Sequence, residues 1–236
     1  MNTPRKLPVT KPDERAADGP GVIQGVIFDM DGVLIEAKDW HYEALNRALR
    51  LFGYSISRYD HLTTFDGLPT SKKLEMLSLE GDLPRELHGF INEMKQEYTM
   101  ELVHAQCSPR FVHEFALSHL KALGYKLAVA SNSIRPTVDT MMRKARLDLY
   151  FDRMVSASDV SRPKPDPAMY LAASRMLGLE PEQCLVVEDN EKGIKAAVAA
   201  GAHVLRVRTV HEVTFDNIMG RIQDITEMQD AEREAA

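Results

Sequence analysis

The sequence predicts an α/β fold: a largely parallel, doubly wound sheet with helices on both faces and a helical segment inserted after the first strand. Three observations predict it. Short apolar runs begin at Val22, Lys126, Cys184 and His203, and they carry too few polar residues for a sheet with one wet face. Stretches with helical apolar spacing separate them. Acidic or small polar residues stand where the runs end, the edge at which parallel sheets bind ligands.

The first strand is predicted over residues 22–29 and ends on Asp29, Met30, Asp31 and Gly32. Residues two apart on an extended chain share a side, so Asp29 and Asp31 can project into one pocket. Two carboxylates so close repel unless a cation or a proton intervenes, which points to metal binding or acid–base chemistry. A solvated turn is the plain alternative at this stage.

A helix follows from Asp39, with Leu45, Ala48, Leu49 and Phe52 on one face and Gly53 as its stop. The polar stretch from His61 to Ser71 leads to a second helix marked by Leu74 and Leu77 and ended by Gly81. Pro84 opens a third and longer helix through Leu87, Ile91, Met94, Tyr98 and Leu102. Residues 38–107 therefore read as helices without a strand, a smaller unit inserted in a core built from 22–37 and 108–236.

Alternation resumes at Pro109. A helix lined by Phe111, Phe115 and Leu120 precedes the strand from Lys126 to Ser131. A helix from Pro136 carries Val138, Met141, Met142 and Ala145 and leads to a short strand at Met154. The segment Ser161-Arg-Pro-Lys-Pro-Asp-Pro is stiffened by its three prolines, with Lys164 fixed between two of them. Asp166 can cap the next helix, whose core positions are Tyr170, Leu171, Ala173 and Leu177. The strand from Cys184 ends at Glu188 and Asp189, an alanine-rich helix closes at Gly201, and the last strand begins at His203. Residues 1–21 read as a flexible tail, and the charged residues from Glu227 onward are expected to fray.

Composition narrows the function. The 236 residues are 44% hydrophobic, sufficient for a substantial core, and a net charge of −6 gives no general attraction to nucleic acid or an anionic membrane. An anionic substrate needs a local positive site. Cys107 and Cys184, the two cysteines, form no metal or disulfide pattern, and no apolar run is long enough to span a bilayer, so a cytoplasmic protein with reduced thiols is expected.

Four ordered segments carry a resemblance: Phe28-Asp-Met-Asp-Gly-Val-Leu, Val129-Ala-Ser-Asn-Ser, Arg162-Pro-Lys-Pro-Asp-Pro and Val187-Glu-Asp-Asn-Glu-Lys-Gly-Ile. Together they resemble the haloacid dehalogenase-like superfamily, most closely its phosphatase and β-phosphoglucomutase branch with a small helical cap. The resemblance implies a phosphomonoester hydrolase acting on a small phosphorylated metabolite, such as a sugar phosphate, through an aspartyl phosphate. It implies Asp29 as nucleophile and Asp31 as general acid and base, with Lys164 offsetting charge. Ser131 and Asn132, with Lys164, are expected to hold phosphoryl oxygens. The implied cofactor is Mg²⁺, a hard cation held by Asp29 and Asp189, the Asp31 backbone carbonyl, and Glu188 directly or through an intermediary.

The cap of that family supplies substrate contacts. Candidates are Asp66, Thr70, Lys72 and Lys73 in the loop from Phe65, with Trp40 and His41 at the entrance. Mutases of the branch pair an arginine with lysine in this loop, and no arginine occurs between Phe65 and Leu74, which favours hydrolysis over a phosphomutase. A dehalogenase would not need the Asp31 proton, and a non-catalytic module would be expected to have lost a core motif residue; none is lost.

Overall fold

The computed structural model describes residues 22–65 and 67–235, so the expected N-terminal tail and Asp66 lie outside the described residues. Five parallel strands, β1 (Gly25–Phe28), β2 (Lys126–Ala130), β3 (Arg153–Val155), β4 (Cys184–Glu188) and β5 (His203–Arg206), form one sheet in the order β3-β2-β1-β4-β5. The first strand is shorter than its apolar run and sits at the centre. Every residue of β1 is buried, as expected for a strand with helices on both faces. Phe28 is level with Val129 on one side and Val187 on the other. The next residue along each strand therefore brings Asp29, Ala130 and Glu188 to the same edge.

Between β1 and β2 lie α1 (Lys38–Arg50), α2 (Arg58–Leu62), α3 (Thr70–Glu80) and α4 (His88–Gln106). They build their own apolar cluster from Leu45, Ala48, Leu49, Ile56, Phe65, Leu74, Leu83 and Ile91. The short α2 falls within what reads as a polar connection; Ser57 caps it, its Oγ accepting from the Asp60 N–H at 3.0 Å. Phe52 lies past the end of α1 and is 36% exposed, so it does not extend the buried stripe. Two contacts clip the linkers of this insertion together: Arg110 donates to Glu36 at 2.7 Å, and the Trp40 indole N–H donates to Gln106 at 2.8 Å.

The remaining helices are α5 (Phe111–Ala122), α6 (Arg135–Lys144), α7 (Ala168–Leu177), α8 (Glu191–Ala200) and α9 (Phe215–Ala235). The four expected core residues of α6 and its C-terminal cap, Val138, Met141, Met142 and Ala145, are buried. On α5 the sequence misleads, because Phe111 is 79% exposed. The face that docks is His113, Ala116, Leu117 and Leu120, with the His113 ring bonded to the Val210 carbonyl at 2.8 Å. Phe115 leans on Phe215 of α9 instead. The C-terminal residues also depart from expectation: α9 continues through Ala235 rather than fraying at Glu227. Ile218, Ile222 and Ile225 anchor it to the core at helical spacing, and Gln223 bonds Glu227 one turn on. Cys107 and Cys184 are free and buried, and no helix among the described residues is long and apolar enough to cross a membrane.

Candidate active site

At the carboxyl edge of the sheet, the Asp29 backbone N–H is fixed by the Val187 carbonyl at 3.0 Å and its side chain is buried. Lys164 Nζ lies 2.6 Å from Asp29 Oδ1 and 2.9 Å from Glu188 Oε1, so one ammonium joins two carboxylates. The lysine is fully built in. Its backbone N–H donates to Asn132 Oδ1 at 3.0 Å, its peptide bond to Pro165 is cis, and its Nζ sits 4.6 Å from the centre of the Tyr170 ring.

Glu188 is clamped from both ends. Oε1 accepts from Lys164 and from the Tyr170 hydroxyl at 2.9 Å; Oε2 accepts from the Asp189 and Asn190 N–H groups and from Asn190 Nδ2 at 2.8, 3.1 and 3.2 Å. Such donors favour the ionised form, and although burial opposes them, Lys164, Asn190 and Tyr170 hold Glu188 below the usual carboxylate range. Burial also pushes Asp29 well above its ordinary value, helped by Glu188, Asp189 and Asp31 and opposed by Lys164. Lys164 is held above the usual lysine range because the two carboxylates outweigh its burial. One positive charge thus faces too many negative ones, and Asp29 carries the imbalance.

The helix α8 can approach this cluster because residue 193 is glycine. A Cβ there would fall 1.6 Å from Glu188 Oε1. Gly32 does the same on the other side. It has φ +99°, and a Cβ would fall 2.1 Å from Asp189 Oδ2.

Asp31 has different partners. Ser133 Oγ donates to its Oδ2 at 3.0 Å, and His41 Nε2 faces its Oδ1 at 3.2 Å. Lys95 Nζ, from α4, lies 3.3 Å from the other ring nitrogen of His41. An ammonium has no lone pair to offer, so Nδ1 is the acceptor and Nε2 carries its hydrogen toward Asp31. Burial and the neighbouring Lys95 hold His41 below its ordinary pKa, which keeps the ring neutral in this arrangement. Burial lowers Lys95 to about 8. Asp31 stays below its ordinary value because His41, Ser133 and Lys95 outweigh its burial. The two acids of the opening motif are therefore tuned in opposite directions.

A cavity of about 520 Å³ opens on both. The helical insertion contributes Lys38, His41, His61, Thr70, Lys73, Asn92, Glu93, Lys95 and Gln96 to its wall, and the core contributes Asp29, Asp31, Asn132, Ser133, Thr137 and Lys164. Of the expected contacts, Thr70 and Lys73 reach the cavity, whereas Lys72 is exposed and does not line it; residues 70 and 73 share a face of α3 that 72 cannot. Trp40 is also misplaced by the sequence reading. On α1 residues 38, 41 and 45 face the cavity, and Trp40 turns away to Gln106 and the core. Asn132 lines the cavity, yet its amide is committed to the Lys164 backbone. Ser131 is fully buried, its Oγ accepting from the Ser133 N–H at 3.0 Å. Lys38, Lys95 and the role of Tyr170 were not legible, since none lies at a recognisable spacing from another group; Ser133 ends the Val129-Ala-Ser-Asn-Ser segment, but its bond to Asp31 was not foreseen.

Oxygens of Asp29, Glu188 and Asp189 lie within 4.8 Å of one another, a hard, anionic donor set. Lys38 Nζ already pairs with Asp189 Oδ2 at 2.7 Å. Surplus negative charge and oxygen donors fit a small divalent cation.

A family model described as haloacid dehalogenase-like hydrolase matches residues 26–207. The chain belongs to the haloacid dehalogenase-like hydrolases. Among similar members, a phosphorylated carbohydrates phosphatase of Thermotoga maritima is 33% identical over 184 residues, covering 76% of this chain and 82% of that protein. A phosphoglycolate phosphatase of Nitrosospira multiformis is 30% identical over 222 residues, covering 89% and 96%. The crystal structure of a β-phosphoglucomutase from Clostridium difficile matches with TM-score 0.74 at 21% identity, covering 86% of this chain and 98% of that one, a likeness of fold. This haloacid dehalogenase-like hydrolase is an enzyme of the phosphatase type.

Proposed function

We propose that the enzyme is a Mg²⁺-dependent phosphomonoesterase that hydrolyses a small phosphorylated metabolite, a sugar phosphate by preference, in the cytoplasm. The observation that carries this reading is the division of partners between the two acids at the floor of one cavity: Lys164 on Asp29, Ser133 and His41 on Asp31. Residues 38–107 act as the cap. The sugar-phosphate preference is supported by the polar cap wall and by the name of the Thermotoga relative. Free, buried Cys107 and Cys184 suit a reducing compartment.

Asp29 attacks phosphorus and becomes the aspartyl phosphate, while Lys164 fixes the carboxylate and offsets charge on the entering group. Asp31, whose partners favour its carboxylate, must first take up a proton from solvent as substrate binds; it gives that proton to the leaving oxygen, then takes one from the water that releases phosphate, a role worth about 10²–10⁴ in rate. Mg²⁺, held by Asp29, Asp189 and the Asp31 carbonyl, would supply the neutralisation that lets two anions meet. Glu188 serves it through Lys164 and the loop rather than by direct ligation, because protein donors already occupy its oxygens. Ser131 and Asn132 order the loop at the end of β2: the Ser131 hydroxyl accepts from the Ser133 N–H and the Asn132 amide holds the Lys164 backbone.

With Mg²⁺ the purified protein is expected to hydrolyse p-nitrophenyl phosphate, to lose that activity in EDTA and to regain it on Mg²⁺ addition; turnover unaffected by chelation would refute the metal assignment. A phosphomutase is disfavoured because no arginine is among the described residues lining the cavity. Incubation with a sugar 1-phosphate should therefore release inorganic phosphate, and isomerisation without release would overturn the hydrolase reading.

Lys95 provides a pH signature. Its pKa of about 8 means that the cation behind His41 is present below that pH and lost above it. The kcat/KM of the wild type should fall as pH rises through about 8. In Lys95→Met the value should be about tenfold lower at pH 7, and that alkaline fall should be absent. An unchanged alkaline limb in the variant would remove Lys95 from the acid–base arrangement.

A further inference from the structure

Tyr170 lies beneath the catalytic floor and lines no part of the cavity. It is 1% exposed, and it touches both members of the ion pair that supports Asp29. Its hydroxyl is 2.9 Å from Glu188 Oε1, the oxygen that also accepts from Lys164, and its ring centre is 4.6 Å from Lys164 Nζ. We propose that Tyr170 is a positioning residue for phosphoryl transfer, dividing Lys164 between Glu188 and Asp29 so that the ammonium stays on the nucleophile. The inference rests on the reading of Asp29 as that nucleophile.

Two carboxylates compete for a single cation. Lys164 is 2.6 Å from Asp29 and 2.9 Å from Glu188. Whichever carboxylate is less well satisfied draws the ammonium harder. The phenolic hydroxyl donates to Glu188 Oε1 and removes part of its demand, and the ring face steadies the ammonium from a third side. Without the hydroxyl, Oε1 would rely on Lys164 alone, and the ammonium would shift from Asp29 toward Glu188. A phenylalanine would pack equally well beside Met169 and Ala173 of α7, so packing alone does not explain a hydroxyl buried at this point.

The test compares wild type, Tyr170→Phe and Tyr170→Leu by steady-state hydrolysis of p-nitrophenyl phosphate and by ¹⁹F NMR titration with beryllium fluoride, a mimic of the phosphoryl group on an aspartate. Tyr170→Phe should lower kcat and beryllium fluoride affinity each about tenfold, the size of one hydrogen bond to a charged group. KM should stay within twofold and Tm within a few degrees. Tyr170→Leu, which also removes the ring, should fall about tenfold further. Tyr170→Phe within twofold of wild type in both readouts, or a loss that only follows the unfolded fraction, would overturn the inference. A wild type that neither turns over nor binds beryllium fluoride would instead overturn the aspartyl-phosphate reading, and this inference with it.

Discussion

Asp29→Asn is expected to abolish phosphatase activity, lowering kcat by at least about 10⁴-fold, while leaving a protein no less stable than the wild type. The first half follows from the loss of the nucleophile. The second follows from the electrostatics: burial, Glu188, Asp189 and Asp31 all raise the Asp29 pKa against the pull of Lys164. A group whose folded pKa lies above its unfolded value of about 3.9 binds protons more tightly in the native state, so ionising it opposes folding as pH rises. The variant lacks that penalty. Its Tm relative to wild type, measured in EDTA, should therefore improve from about pH 4 toward neutrality. Residual turnover at more than about 1% of wild type, with the preparation shown free of contaminating phosphatase, would remove Asp29 from the nucleophile position.

Lys164→Ala should damage both stability and turnover. Removing one partner from a buried ion pair is worth roughly 3–5 kcal/mol, and here a single cation serves two carboxylates. For a chain of this size that corresponds to a fall in Tm of about 10 °C or more. The pH dependence distinguishes this cause from simple loss of packing. With the ammonium gone, Asp29 and Glu188 both become reluctant to ionise, so the native variant takes up protons that the wild type does not. Its Tm deficit should narrow on going from pH 8 to pH 5. A deficit equal at both values would mean that the lysine stem, not its charge, supports the floor. Turnover should fall by about 10³-fold at every pH where the protein is folded.

The fold was readable because the central strands β2, β1 and β4 are buried on both sides. Val26, Ile27, Val129, Val186 and their neighbours leave no wet face to blur the pattern, and the residues after them had to form one edge. Asp29 and Glu188 were legible for the same reason, standing at the ends of strands whose register the hydrophobic pattern determines, whereas Lys164 was marked by the prolines on either side of it in a loop. The helical insertion was less so. On α4 the buried positions are Ile91, Thr99 and Val103, whereas Leu87, Met94 and Tyr98 pack only partly, so apolar spacing did not reveal which face looks at the core. Lys95 belongs to that face and carries no local signature. His41 is adjacent in sequence to Trp40, and only the rotation of α1 decides which of them meets Asp31. On α5 two exposed phenylalanines outweighed a histidine and alanine that do the packing, because residue type alone cannot report a surface aromatic cluster with Phe215.

The clipped linkers make α1 the hinge side of a door. His41 lies four residues beyond Ala37, about 6 Å along the helix, whereas Lys95 is eleven residues and about 16 Å from the Gln106 end of α4, and Asn92 about 20 Å. Any swing about these linkers has a lever arm that grows in that order: a rotation of roughly 10° moves His41 by about 1 Å, Lys95 by nearly 3 Å and Asn92 by more than 3 Å. His41 and Lys95 belong to one packed helical unit, so such a swing carries them together and keeps their 3.3 Å contact; what it changes is the 3.2 Å reach from the His41 ring to Asp31. Closure and the tuning of Asp31 are then one movement: the ring and the cation behind it reach the carboxylate together and favour its ionised form.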